Sequence, residues 1–137
     1  MRAWFLLTLT LLLGSAAALA AERLVSVELN KLEADGENCQ AYLVLNNATE
    51  DAFDELLLDL VMFDPEGIIV RRLAVDIAPL PAGRTAVKVF SVQTVACERI
   101  GRVLLNGVLA CEARGAAREG CLGLLNTSSR TGVELIN

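Results

Sequence analysis

The sequence contains no histidine and few aromatic residues: one tryptophan, one tyrosine and four phenylalanines in 137 residues. Without histidine the chain lacks the commonest general base, and neither a Ser-His-Asp nor a Cys-His arrangement can form. A common zinc ligand is missing for the same reason, and no two cysteines have C-x-x-C spacing. We therefore predict a protein that is not an enzyme, with no catalytic residue, no metal site and no cofactor.

Long apolar runs are missing as well, except at the N terminus, where the run 3–13 follows Arg2. The small residues of Ala18-Leu19-Ala20 fit the positions that a signal peptidase recognises, so residues 1–20 are predicted to be a cleaved secretory signal peptide. An uncleaved anchor is the alternative, because the run approaches the ~20 apolar residues that cross a bilayer. Residues 21–137 are predicted to form a single domain with no membrane span, exported to the periplasm.

Basic residues are outnumbered by acidic ones, which gives the whole chain a net charge of −5. Loss of the signal peptide removes Arg2 and no acidic residue, so the exported domain carries −6. A domain of this sign repels phosphate backbones, and nucleic acid is therefore excluded as a partner.

Four cysteines, Cys39, Cys97, Cys111 and Cys121, all lie in the exported part. An even number of cysteines in a small exported domain indicates two disulfides, for which three pairings are possible. The short polar segment between Cys111 and Cys121 should close easily, which leaves Cys39 to pair with Cys97. The alternative is a metal or redox site, for which the ligands and the spacing are lacking.

Apolar residues alternate with polar ones in short segments that are separated by turn residues. This pattern predicts an all-β fold, an immunoglobulin-like antiparallel β-sandwich of about seven strands with two disulfides. Either a strand or one helical turn fits 121–126. The other predicted strands are 24–33, 39–46, 54–64, 68–78, 84–93, 101–110 and 132–137.

Four carboxylates and two arginines lie among apolar residues between Asp59 and Asp76. If Phe63 faces Ile68 across a hairpin, Asp59 faces Arg72 as a structural ion pair. In that register one face is apolar, formed by Leu56, Leu58, Leu60, Met62, Ile69, Leu73, Val75 and Ile77. Only Arg71 is a charged residue on this apolar face, and its long side chain can place the guanidinium at the margin of the sheet. A three-residue loop that pairs Asp64 with Ile68 is also compatible with the turn residues, but it mixes polar and apolar residues on both faces. We therefore interpret these charges as scaffold.

Three segments carry a resemblance to known proteins: VSVELNKLEADGENCQAYLVLNN, AFDELLLDLVMFDPEGIIVRRLAVDIAPLPAGRTAVKVF and ERIGRVLLN. They resemble small uncharacterised exported bacterial proteins often called "Tat pathway signal sequence domain protein". More distantly, LDLVMFD followed by PLPAG is similar to immunoglobulin-like modules of the FxLYD type. The resemblance implies a periplasmic β-sandwich and brings no activity. Met1-Arg2-Ala3 departs from the name because it has no twin arginine, so export by the general secretory route is expected.

Two functions are compatible with these observations. The first is a non-enzymatic protein-interaction module of the cell envelope, whose partner and oligomeric state the sequence does not define. The alternative is a periplasmic carrier of a small ligand or cation. The oxygen-rich segment 46–55 contains side chains that can bind calcium, but its spacing does not match the EF-hand loop, so we interpret it as a solvated loop. We favour the interaction module, because a carrier should show converging ligands.

Overall fold

The computed structural model describes residues 24–137, which fold into two β-sheets packed face to face. The predicted signal peptide, 1–20, lies outside the described residues. The strands are β1 Val25–Asp35, β2 Asn38–Asn47, β3 Phe53–Phe63, β4 Ile69–Asp76, β5 Thr85–Val92, β6 Arg102–Ala113, β7 Ala116–Ala117, β8 Leu125–Ser129 and β9 Glu134–Ile136. Two 3₁₀ turns, Cys97–Arg99 and Cys121–Leu124, complete the fold. The all-β sandwich predicted from the sequence is confirmed.

The first sheet has the strand order β5-β2-β1-β8, and the second has the order β4-β3-β6-β7, with β9 also paired to β6. Most pairs are antiparallel, as predicted. Two are parallel, which the prediction of an antiparallel sandwich missed: β1 with β8, and β6 with β9. The segment 121–126 contains both structures that its sequence allowed, because a 3₁₀ turn leads directly into β8.

The core lies between the two sheets and is formed by alternate residues of their long strands. Val25, Val27 and Leu29 of β1 are buried, and the residues between them are half-exposed. On β3 the buried alternate residues include Leu56 and Leu58. Because successive side chains of a strand point to opposite faces, the period-two pattern of the sequence locates this core.

The register of the β3–β4 hairpin differs from the predicted one. The Asp64 N–H donates to the Ile68 carbonyl at 2.7 Å, so Pro65-Glu66-Gly67 is a three-residue loop, with Gly67 at φ +85°. That loop was the rejected alternative. A bulge then shifts the pairing by one residue between Phe63↔Ile69 and Met62↔Arg71.

The bulge explains why the turn residues and the apolar pattern of the sequence indicated different registers. Turn residues set the loop, and the bulge restores the alternation beyond it, so that Leu73, Val75 and Ile77 pack inward as burial requires. Ile69 precedes the bulge and is exposed, so its predicted place on the apolar face is wrong. Asp59 lies opposite Ala74 and not opposite Arg72.

Both predicted disulfides are confirmed, Cys39–Cys97 and Cys111–Cys121. The first joins the start of β2 to the 3₁₀ turn that precedes β6. The second joins the end of β6 to the 3₁₀ turn that precedes β8. Both cysteines of the second bond are buried in the core cluster, whereas most residues of the loop between them are exposed.

Candidate interaction site

Asp59 is the most buried ionisable residue of the hairpin, at 3% exposure. Arg72 donates to it through Nε and Nη2, both at 2.8 Å, and Asn106 of β6 donates at 2.7 Å. Arg72 reaches Asp59 diagonally across the strand pair. These hydrogen bonds, first that of Arg72 and then that of Asn106, lower the pKa of Asp59 to about 2. A carboxylate with so low a pKa is a weak general base and has no proton to donate at neutral pH, so the geometry describes a structural ion pair.

Two other carboxylates of the hairpin hold backbone groups. Asp64 accepts from the N–H groups of Glu66 at 3.0 Å and Ile68 at 2.9 Å, which closes the turn. Asp76 accepts from the N–H groups of Leu56 and Ala78. These contacts account for the carboxylates as parts of the scaffold.

The oxygen-rich segment 46–55, the candidate cation ligand, is used for loop structure. Asn47 is fully buried, and its Nδ2 donates to the carbonyls of Asp51, Leu80 and Pro81. The Asp51 carboxylate forms ion pairs with Arg114, at 2.8 Å, and with Arg118. Within residues 24–137, no three histidine, cysteine, aspartate or glutamate side chains come together in a way that would hold a metal ion.

Among residues 24–137, the outer edge of β6 is covered only at its two ends. Arg102–Leu104 pair with β9, and Glu112 and Ala113 pair with β7. The Cys111 carbonyl accepts from the Arg118 N–H at 2.9 Å. Between these contacts no described strand pairs with Leu105–Ala110 on the side away from β3, and we call that side the open β6 edge. Backbone groups on such an edge can pair with another chain.

A groove of about 460 Å³ runs beside this edge, between 107–111 and 118–122. Leu109 and Leu122 line it and are 55% and 40% exposed, although both are large apolar side chains. The Cys111–Cys121 disulfide joins the two walls. Unpaired backbone and exposed leucines therefore lie together, as strand-adding interaction sites require.

The edge strands β4 and β5 carry inward-pointing charges that disfavour pairing with another strand, and the open β6 edge lacks such charges. Arg71 on β4 lies opposite buried Met62, and Lys88 on β5 lies opposite buried Leu43, so each edge strand carries a cation on its inner face. As predicted, the Arg71 side chain extends to the margin of the sheet, where its Nη2 donates to the Gln93 carbonyl at 2.7 Å. Inward-pointing charges disfavour pairing with another strand, whereas Leu105–Ala110 contains no charged residue.

Sequence reasoning missed this site, because the predicted strand 101–110 showed no sign of where its neighbours would end. Two bulges on β6 leave Asn106 and Leu109 without a partner on β3. The one available signal was the uncharged run Gly107-Val-Leu-Ala110, which is apolar at consecutive positions where a half-exposed strand should alternate.

Comparisons with known proteins support the fold and leave the function open. No family model matches the chain, and no curated protein matches it. Among residues 24–137, no helix is long and apolar enough to cross a membrane. The solved structure of IrmA from Escherichia coli is similar, with a TM-score of 0.56 and 17% identity over 77% of this chain and 92% of that one. At this identity the likeness is one of fold.

Proposed function

We propose that this protein is a non-enzymatic interaction module of the cell envelope, exported to the periplasm, which binds another protein along the open β6 edge. The observation that carries the proposal is the six-residue stretch of β6 whose outer edge, away from β3, pairs with no described strand, beside two exposed leucines. Main-chain hydrogen bonds supply affinity in strand addition, and the neighbouring side chains supply selectivity.

Two further features support an exported location. Residues 3–13 and Ala18-Leu19-Ala20 have the pattern of a cleaved signal peptide. Both disulfides also suit an oxidising compartment, since thiols stay reduced in the cytosol.

The competing function, a small-ligand carrier, has less support. The cavity between the two sheets, lined by residues such as Leu43 and Leu60, has a volume of only about 10 Å³. A single water molecule needs about this much space. A ligand would therefore have to bind at the surface, where the described residues contain no group of three histidine, cysteine, aspartate or glutamate side chains that could hold a metal ion.

Site-specific photo-crosslinking in intact cells tests the proposal. A photoreactive side chain is placed at Leu109 or at Leu122, and in a control at Val87, which is 63% exposed on the first sheet. We expect one discrete protein adduct from both groove positions and none from Val87. Adducts that do not depend on the position, or none at all, would contradict binding at the open β6 edge.

A thermal-shift panel of divalent cations and envelope metabolites tests the carrier. A ligand at a hundredfold excess over its Kd adds about 2.7 kcal/mol to the free energy of unfolding. We expect no shift, and a clear shift with one compound would favour the carrier over the interaction module.

A further inference from the structure

We infer that the segment bound at the open β6 edge is a short extended stretch of a partner protein, about six residues long. Its side chains facing the groove are apolar, and a lysine or arginine lies at the end beside β7. This inference rests on the proposed function, because it names the partner chemistry of the same site.

The length of the bound segment follows from what flanks the edge. Six residues of strand extend over roughly 20 Å. At one end β9 already occupies the position next to Leu104, and at the other end Arg118 and β7 occupy the positions next to Cys111 and Glu112. A longer strand laid against β6 would run into one of these neighbours, so both ends of the bound segment must turn away.

The same limit argues against a second copy of this chain as the occupant. The strands β4 and β5 each have eight residues, and β6 has twelve, so none of them fits between β9 and β7. The edge strand β8 has five residues and would fit by length. Its exposed side chains, however, include Asn126 and Ser128, which do not match an apolar groove.

The walls of the groove define the side chains that it accepts. Gly107, Val108, Leu109 and Ala110 form one wall, and Gly120 to Leu122 form part of the other. These wall residues carry no charge, and burying a charged group against them without a partner would be costly. Valine, isoleucine or leucine facing the groove would instead cover Leu109 and Leu122.

The charges beside β7 define the end of the bound segment. Arg114 and Arg118 are already paired with Asp51. Glu119 lines the groove, Glu112 follows Cys111, and both are exposed without an ion pair among the described residues. Arg118, which also lines the groove, shares the single carboxylate of Asp51 with Arg114, so these five residues together carry a net charge of −1. A cationic residue of the bound segment complements this net negative charge.

Titration of synthetic peptides into isotope-labelled protein purified from the envelope fraction tests the inference. The probes are acetylated and amidated hexapeptides of alternating valine and threonine, with lysine as either the first or the last residue. For each lysine peptide there is a matched control peptide with glutamate at the same position. A fifth peptide, methylated on alternate backbone nitrogens, cannot donate along one edge.

We expect amide shifts confined to Leu105–Ala110 and the facing turn Gly120–Leu122. In one of the two orientations the lysine peptide should bind about fivefold more tightly than its glutamate partner at low salt. This ratio should fall toward one in 0.5 M salt, because exposed charges are screened. The methylated peptide should not bind. Equal binding of lysine and glutamate peptides in both orientations, or unchanged binding of the methylated peptide, would overturn the inference.

Variants give a second readout. Leu109→Ser and Leu122→Ser should each weaken binding of the lysine peptide about tenfold. Val87→Ser, at an apolar residue of the other sheet that is more exposed than either leucine, should leave this binding unchanged. Dimerisation of the peptide-free protein through β8, detected by sedimentation and abolished by Leu109→Ser, would identify a second copy as the occupant and so contradict the inference.

The two proposals fail separately. If crosslinks form at Leu109 and Leu122 but all peptides fail to bind, the protein is an interaction module with a different kind of occupant. If the crosslinks are also missing, the proposed function is wrong.

Discussion

At the scale of single residues, Asn47 has more structural contacts than its sequence pattern indicated. Its amide donates to three carbonyls, and its Oδ1 accepts from the N–H and hydroxyl of Thr49. We expect Asn47→Ala to lower the free energy of unfolding by about 3 kcal/mol, because buried carbonyls lose their donor. Chemical denaturation measures this loss.

The neighbouring Asn46 supplies the control for Asn47. It is exposed, and its side chain forms one hydrogen bond to the part of the chain that the structure describes, with Thr85 at 2.8 Å. Asn46→Ala should change the free energy of unfolding by less than about 0.5 kcal/mol. Equal losses for the two variants would show that the buried network is not what stabilises this loop.

The ion pair of Asp59 predicts a specific acid sensitivity. Its folded-state pKa of about 2 lies below the ordinary value of 3.8. The stabilisation is therefore fully present above about pH 4 and is lost as the pH falls toward about 2. Thermal unfolding from pH 2 to pH 6 should show a smaller acid-induced loss for Asp59→Asn than for the natural protein.

Glu66→Gln is the matched variant for this acid test, since Glu66 is exposed in the hairpin turn. Its melting temperature should follow that of the natural protein across the whole pH range. If the melting temperature of Asp59→Asn also followed that of the natural protein, the Arg72 contact would make no measurable contribution to stability.

At the scale of elements, the two disulfides should contribute similar amounts to stability. Chain entropy gives about 4 kcal/mol for Cys39–Cys97, which are 58 residues apart, and about 3 kcal/mol for Cys111–Cys121, which are 10 apart. Because the short bond closes a small polar segment, the sequence alone predicts that its loss would only loosen a loop. Cys111 and Cys121 are both buried, however, as Cys39 is in the long bond, and Cys97 is half-buried against the same core, so replacing either pair also removes core packing.

We therefore expect the two double alanine variants, at Cys39 with Cys97 and at Cys111 with Cys121, to differ by less than about 1 kcal/mol. Chemical denaturation of each variant compares them. A much smaller loss for the second pair would show that its loop is held independently of the core.

Strand positions were predictable where local chemistry decides them, and strand partners were not. Alternating residues located β1 to β6, and glycine and proline marked the turns. The bulge between Ile69 and Arg71 could not be predicted from the sequence. The turn residues indicate one register and the burial pattern another, and neither alone shows that a bulge satisfies both. The open β6 edge depends on where β7 and β9 end against β6, and such long-range pairings leave no local pattern.

At the scale of the whole molecule, the predicted export remains to be tested. Intact-mass measurement on the envelope fraction should give a chain that begins at Ala21, because signal peptidase cleaves after a small residue such as Ala20. A full-length chain in the membrane fraction would contradict this prediction and favour the uncleaved anchor.

The Cys111–Cys121 bond has a consequence for when the protein becomes able to bind. It alone covalently holds the turn that carries Leu122 against the strand that carries Leu109. Before the two thiols are oxidised, the wall that carries Leu122 is held only by non-covalent contacts, so a newly made chain should bind its partner more weakly until it has reached an oxidant. Peptide binding that persisted unchanged after reduction of this bond alone would show that maturation and binding are not coupled in time.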